Sequence, residues 1–114
     1  MRHVVDRHIS EPLTEPVLLI LMSLADQPRH GYALLKDIEA ISDGTVQLST
    51  GTLYGALRRL LDSGWIERFD QEDTSRAKQS YRLSSLGRRQ LQLELRRMKH
   101  LAQLGTARLK ESEA

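Results

Sequence analysis

Cysteine is absent from this chain of 114 residues, and aromatic residues make up only 4% of it. Without a thiol the protein forms no disulfide, no thiolate metal ligand and no cysteine nucleophile. The longest apolar run extends from Pro16 to Met22 and is too short to span a bilayer. No basic segment followed by a small-residue cleavage site opens the sequence. We therefore expect a cytoplasmic protein.

The chain also lacks the sequence patterns of catalytic sites. It contains no nucleophile elbow and no phosphate-binding loop, and no pair of carboxylates is predicted to face inward. Its length suits one small domain, which leaves little room for a substrate cleft. We expect neither an enzyme activity nor a cofactor.

Charge is distributed unevenly, although the formal net charge is only +2. Residues 1–48 carry four Lys or Arg and seven Asp or Glu, whereas residues 49–114 carry thirteen and eight. From Arg76 to Lys110, ten basic residues are accompanied by a single acidic one, Glu94. This surplus favours a polyanionic partner, although such runs are also common on solvated helix faces.

The first half of the chain shows two helical patterns after a polar arm, residues 1–14. One helix begins near Pro16, which is tolerated in a first turn, and ends near Ala25. The turn at residues 26–29 precedes a second helix, and residues 46–48 suggest a short first strand. The second helix is predicted to face inward with Leu34, Leu35, Ile38 and Ile41.

A third helix follows, with the features of a DNA-recognition helix. Ser49 or Thr50 can cap its first turn, and Gly64 ends it where a left-handed residue is favoured. One face is apolar, with Leu53, Leu57 and Leu60 at helical spacing. The opposite face presents hydroxyl, phenol and guanidinium groups that suit phosphates and base edges, on Thr52, Tyr54, Arg58 and Arg59.

Two β-rich segments predict a hairpin after this helix. The strands are expected at residues 65–69 and 80–83, with a polar tip at residues 70–77. Three helices followed by a hairpin form a winged helix-turn-helix, here residues 15–83. The fold class is thus mainly α with a small β-hairpin. Trp65, Tyr32 and Tyr81 are expected in the core or hairpin.

The sequence of residues 84–114 predicts a long final helix that is capped near Ser84. A heptad seam of apolar and small residues runs along it, and off-seam leucines widen the apolar surface beyond what one domain can cover. We therefore expect a homodimer that binds an inverted repeat with half-sites one helical turn apart. The seam consists of Leu91, Leu95, Met98, Ala102, Gly105 and Leu109, and the off-seam residues are Leu86, Leu93, Leu101 and Leu104.

Several of these segments together resemble the PadR-type transcriptional regulators of the short class, which have one C-terminal dimerisation helix. The resemblance covers about residues 16–110. It is carried by His30-Gly31-Tyr32, Ser49-x-Gly51-Thr52-Leu53-Tyr54, Leu57-Arg58-Arg59-Leu60, Gly64-x-Ile66 and Tyr81-Arg82-Leu83-Ser84-x-x-Gly87.

The resemblance implies a DNA-binding repressor that a small-molecule effector releases. It assigns DNA contacts to Thr52, Tyr54 and Arg58, and to Ser49 and Thr50 in the first turn. In the wing, Arg76 and Lys78 keep the basic character of the family pattern, whereas Gln79 and Ser80 replace a Lys and a Tyr. Some relatives stack aromatic drugs between tryptophans of the paired last helices. That helix has no aromatic residue here, so the effector class does not carry over.

Two alternatives remain open at this stage. A winged-helix module can use a basic face and a long helix to dock a protein partner, and some winged-helix sensors bind zinc or nickel. The histidines offer no paired spacing for a metal: His3 and His8 lie in the arm near Asp6, His30 in the turn motif and His100 alone on the last helix. The sequence does not indicate an operator, a regulated gene, or repression as opposed to activation.

Overall fold

Four helices and three strands occur in the computed structural model, which describes residues 12–69 and 79–113. The predicted hairpin tip and most of the predicted arm, together with Arg76, Lys78, His3 and His8, lie outside those residues. The elements are α1 (Glu15–Ser23), β1 (Arg29–His30), α2 (Gly31–Ile41), α3 (Thr50–Asp62), β2 (Ile66–Phe69), β3 (Ser80–Leu83) and α4 (Ser85–Glu113).

The three strands form an antiparallel sheet in the order β1-β3-β2. Ile66 pairs with Leu83 in the predicted hairpin, and Arg29 pairs with Tyr81 in a third strand that the sequence analysis did not predict. The prediction of a first strand at residues 46–48 is wrong. The amide of Val46 instead donates to the Ser42 hydroxyl at 3.1 Å, so the segment is held by a local turn and not by a strand partner.

The helix ends follow the capping residues in the sequence. Thr14 caps α1 through the amide of Val17, and Ser49 caps α3 through the amide of Thr52. Ser84 accepts a hydrogen bond from the amide of Gly87 in the first turn of α4. Gly64 has φ = +78°, a conformation that glycine adopts without strain, and it lies two residues after the end of α3 as predicted.

The core lies where α1, α2 and α3 meet the sheet and the start of α4. Tyr81 is buried and Trp65 packs against this core, which confirms two of the three aromatic predictions. Tyr32 is 67% exposed and Ile41 is 44% exposed, so both predictions of an inward position are wrong. The buried core residues are Leu19, Ile20, Leu21, Leu24, Leu34, Ile38, Leu53, Ala56, Leu57, Leu60, Ile66, Tyr81, Leu83 and Leu91.

A polar network ties β1 to the first two helices. The Arg29 Nε donates to the Ser23 carbonyl at 2.7 Å, and the Ser23 hydroxyl donates to Asp37 at 2.6 Å. Arg29 also lies within 3.7 Å of the Asp37 carboxylate. Since Ser23 is buried, these hydrogen bonds satisfy groups that are costly to leave unpaired. The network fixes the strand that precedes α2.

Helix α4 has 29 residues and is about 43 Å long at about 1.5 Å per residue. Its first three turns pack on the domain, whereas every residue from 98 to 113 is exposed. The helix thus extends well beyond the core. Among the described residues, no helix is both long and apolar enough to cross a membrane.

Candidate nucleic-acid interface

Helix α3 is anchored by its apolar face and presents a polar face to solvent. Leu53, Leu57 and Leu60 are buried, whereas Thr52, Arg58 and Arg59 are exposed. This division reproduces the predicted pattern for these six residues, whereas Tyr54, which was predicted on the same polar face, is half-buried. A rigidly packed helix with an exposed basic face is the geometry that winged-helix proteins place in a major groove.

The cap of α3 involves two of the predicted DNA-contact residues. The Ser49 hydroxyl accepts from the Thr52 amide at 3.1 Å and donates to the Thr52 hydroxyl at 2.9 Å. The Ser49 hydroxyl is therefore engaged within the helix start. The Thr52 hydroxyl accepts that bond and keeps its own proton for an outside acceptor.

Helix α3 carries two exposed arginines. Neither Arg58 nor Arg59 forms an ion pair with another described residue. Arginine side chains are well suited to phosphate oxygens and guanine edges because their donors form a planar fork. The two guanidinium groups are thus positioned for a polyanionic ligand.

Two glycines lie on the same side of α3 as these arginines, Gly51 exposed and Gly55 half-buried. A Cβ atom built at Gly51 would meet nothing within 4 Å, and one at Gly55 would meet only the Arg59 Nη1 atom at 3.8 Å. Packing among the described residues therefore does not require a glycine at either position. The absence of side chains here brings the backbone of α3 close to the surface, where a ligand can approach it.

Tyr54 occupies a different position from the exposed residues. Its ring packs against the core, and its hydroxyl lies against Gly31 at the start of α2, where an added Cβ atom would overlap it. A side chain at residue 31 would therefore force the Tyr54 ring to move. The Tyr54 hydroxyl, for which the sequence predicts a DNA contact, therefore lies at the junction of α2 and α3.

The surface predicted to form a dimer lies on α4 and is largely exposed. The seam residues Leu95, Met98, Ala102, Gly105 and Leu109 are exposed, as are the off-seam residues Leu86, Leu101 and Leu104. Leu91 differs, because it is only 5% exposed and belongs to the core of its own domain. It is therefore committed to contacts within one subunit.

Glu94, which the sequence analysis counted only as an isolated acid, joins α4 to the residues before α1. Its carboxylate accepts two hydrogen bonds from Arg97 and one from the amide of Leu13, at 2.9, 2.8 and 3.2 Å. The Arg97 bonds are the main cause that lowers the pKa of Glu94, burial opposes them, and the Leu13 amide lowers the pKa further. The spacing of three residues between Glu94 and Arg97 was a signal that could have found this pair.

The described residues contain no group of three or more His, Asp and Glu side chains able to hold a metal ion. His30 is engaged by Ser80, whose hydroxyl lies 3.2 Å from its Nδ1 atom, and His100 is exposed on α4. The arm histidines belong to the part of the chain that is not described.

Residues 20–93 match the model of the transcriptional regulator PadR-like family. A solved PadR-family transcriptional regulator from Eggerthella lenta is 30% identical, with a TM-score of 0.60, and the match covers 83% of this chain and 80% of that one. These comparisons agree with the fold and with the resemblance found in the sequence. Members of this family are transcription regulators and not enzymes.

Two more distant structures have the same fold. A PadR-family transcription regulator from Clostridium difficile is 21% identical, covering 84% of this chain and 99% of that one with a TM-score of 0.69. Bacillus subtilis PadR in complex with operator DNA is 22% identical, covering 75% of this chain and 49% of that one with a TM-score of 0.64.

Among curated proteins, an uncharacterized 37.1 kDa protein from a transposon of Streptomyces fradiae is 35% identical over 85 residues. The match covers 75% of this chain but only 23% of that protein. The chain thus spans about a quarter of the length of this relative.

Proposed function

The chain belongs to the PadR-like family of transcriptional regulators, and we propose that it is a homodimeric repressor that binds an inverted-repeat operator. The observation that carries this proposal is the exposed basic face of α3, where Arg58 and Arg59 form no ion pair with any other described residue. The complex of Bacillus subtilis PadR with operator DNA supports DNA as the ligand of this fold.

In the proposed complex, α3 enters the major groove with Thr52, Arg58 and Arg59 facing the duplex. Tyr54 lies at the edge of that face. Ser49 and Thr50 form the amino-terminal turn of α3. Arg76 and Lys78, which lie outside the described residues, supply the wing contacts. Arg58 reads a base edge or clamps a phosphate next to it, whereas Lys78 acts as a sequence-independent charge on the backbone.

Dimerisation is proposed through the exposed part of α4. Leu95, Met98, Ala102, Gly105 and Leu109 repeat at alternating spacings of three and four, as residues of a helix pair do. Burying these side chains against a second copy removes apolar surface from water at about 25 cal/mol per Å². Two-fold symmetry then places two copies of α3 on one side of a duplex, about 34 Å apart.

Release by a small-molecule effector completes the proposal. A ligand releases DNA only if it binds the DNA-free form more tightly than the DNA-bound form. Family membership supports this mode of control without indicating the chemical class of the effector.

Selection on a pool of random DNA duplexes tests the proposal. The purified protein is incubated with the pool at moderate salt, and the retained duplexes are sequenced. A two-fold symmetric motif supports a dimeric, sequence-specific reader. Retention without any motif contradicts it, because charge alone accounts for non-specific binding. In that case the alternative of a protein-docking module is tested by pull-down. An acidic protein that is still captured after nuclease treatment supports that alternative.

A further inference from the structure

The side of α4 that faces away from the apolar seam carries a row of basic and amide side chains. At about 100° per residue, these side chains lie within about 80° of one another and about 120° from the middle of the seam. All of them are exposed. The row, which we call the basic ridge, consists of Arg89, Gln92, Arg96, Lys99, Gln103 and Lys110.

Acidic side chains are missing from the basic ridge. Across residues 85–110 the only acid is Glu94, which is buried and paired with Arg97. No acidic residue lies three or four positions from Arg96 or Lys99, and these two cations are themselves three positions apart. Like charges at this spacing destabilise a helix, whereas solvated helix faces usually alternate charges of opposite sign. The ridge therefore carries charge that does not stabilise the helix on which it lies.

The basic ridge remains accessible when the other surfaces of α4 are occupied. None of its cations forms an ion pair with another described residue. The proposed seam turns Met98 and Leu109 toward a second copy, which leaves the ridge on the outside of the helix pair. From Arg89 to Lys110 the ridge extends about 31 Å, at about 1.5 Å per residue. A straight row of this length fits a linear polyanion.

We propose that the basic ridge binds the phosphate backbone of double-stranded DNA independently of sequence, as a second nucleic-acid surface besides α3. A duplex carries one negative charge per about 1.7 Å of its axis, so a row of this length faces many phosphates. Arg96 and Lys99 supply positive charge, and Gln92 and Gln103 donate amide hydrogens to phosphate oxygens. Such contacts position a protein on DNA without reading its bases.

The basic ridge suits other polyanions less well than it suits a duplex. An amphipathic helix on a membrane buries its apolar face in lipid, and in α4 that face is assigned to the second copy. A duplex is stiff over this length, as the helix is, so binding orders neither partner. A flexible acidic protein segment would instead lose conformational entropy on the ridge. Double-stranded DNA is therefore the proposed ligand.

The contact is located by titrating the full-length ¹⁵N-labelled protein with a duplex of scrambled sequence. Because α3 is also proposed to bind this duplex, the titration is repeated on Arg58→Ala/Arg59→Ala, which removes the charge of that face. We expect saturable shifts at the amides of Gln92, Arg96 and Gln103 in both proteins. Shifts that never include these amides, or that vanish from them in the double variant, overturn the proposal.

Salt dependence then counts the phosphate contacts of the ridge. In the Arg58→Ala/Arg59→Ala background, adding Arg96→Gln is expected to reduce the slope of log affinity against log salt by about one, and Lys99→Gln is expected to do the same. Arg108→Gln is the matched control, since it removes an exposed arginine of α4 about 140° around the helix from the ridge. It should leave the slope unchanged. An equal reduction by Arg96→Gln and Arg108→Gln would show general charge attraction and overturn the proposal.

The choice of DNA over other polyanions is tested with the same proteins. Tighter binding of phosphatidylserine vesicles or of polyglutamate than of the duplex, at one salt concentration, would assign the ridge to another ligand and overturn the proposal. The substituted ridge residues are exposed, so thermal unfolding and sedimentation velocity should be unchanged in each variant. If selection on random duplexes yields no symmetric motif, the proposed function fails, whereas the titration with scrambled duplex still decides whether the ridge binds DNA.

Discussion

The α-carbon of Gly87 packs directly against the backbone carbonyl of Trp65, joining the first turn of α4 to the segment that follows α3. Ser84 adds two hydrogen bonds to this contact. Its amide donates to the Trp65 carbonyl at 3.1 Å, and its hydroxyl donates to the carbonyl of Gly64 at 2.5 Å. The proposed dimerisation helix is thus fastened to the end of the proposed recognition helix. Their relative orientation sets the distance between two copies of α3 in a dimer.

Gly87→Ala is expected to destabilise the fold by about 2 kcal/mol, because overpacking in a closed site costs about 1 to 3 kcal/mol. A Cβ atom there would overlap the Trp65 carbonyl oxygen and lie 2.9 Å from its carbonyl carbon. Urea unfolding measures the change. Gly51→Ala is the matched control, since its Cβ meets nothing within 4 Å and is expected to leave stability equal or higher. Equal stability of the two variants would refute the close packing.

Glu94→Gln is expected to lower stability at neutral pH by about 1 to 2 kcal/mol, because the amide cannot replace the charge-assisted bonds to Arg97. The folded protein has a lowered pKa for Glu94, relative to an ordinary value of 4.5. Its contribution is therefore fully present above pH 4.5 and is lost as the pH falls through the lower folded value. The difference between wild type and variant should shrink over that window in urea unfolding.

Glu67→Gln is the control for this pH dependence. Glu67 pairs with Arg82 at 3.1 Å, but both side chains are about half exposed. Exposed pairs contribute about 0 to 1 kcal/mol, so this variant should stay close to the wild type at every pH. If Glu67→Gln lost as much stability as Glu94→Gln, burial would not account for a difference in stability between the two ion pairs.

Gly55→Ala is expected to have opposite effects on folding and on DNA binding. In the free protein the variant should be more stable by up to about 1 kcal/mol, because glycine is unfavourable in a helix interior and the new methyl group has room. On DNA the same methyl group lies on the exposed face of α3 and should weaken binding to the selected duplex. Calorimetric unfolding and fluorescence anisotropy measure the two effects, and unchanged or tighter DNA binding would place Gly55 outside the interface.

Met98→Glu is expected to dissociate the dimer, because it introduces a charge on each side of the proposed apolar seam. Sedimentation velocity at micromolar concentration should show a single subunit for this variant and two for the wild type. Lys99→Glu changes a neighbouring exposed residue off the seam and should remain a dimer. Identical behaviour of the two variants would exclude Met98 from the interface.

Local patterns allowed most of the helical domain to be predicted from the sequence. The Ser49 cap, the left-handed Gly64 and the apolar face of α3 depend on residues a few positions apart. Strand β1 was missed because its two residues acquire strand geometry only by pairing with β3, about fifty residues later. Pairings of this kind leave no periodic signal in a segment of two residues.

The misplaced side chains have an equally physical explanation. Tyr32 precedes buried Leu34 by two residues, which is about 200° around a helix, so it points away from the core. Its ring is instead covered partly by the Lys36 ammonium, 5.5 Å from the ring centroid. Leu91 fits the heptad seam by spacing, yet it lies on the part of α4 that packs on the domain. The spacing of apolar residues alone does not show where such a helix stops packing on its own domain.

The claim that α3 reads the operator is tested most directly by comparing the DNA-binding specificity of the wild type with that of Arg58→Ala. The measurement is the ratio of affinities for the selected duplex and for a scrambled one, at a single salt concentration. A lost base contact costs about 1 to 3 kcal/mol, so Arg58→Ala should lower this ratio by about ten-fold or more, while the control Arg96→Ala keeps it. An unchanged ratio for Arg58→Ala would contradict the account.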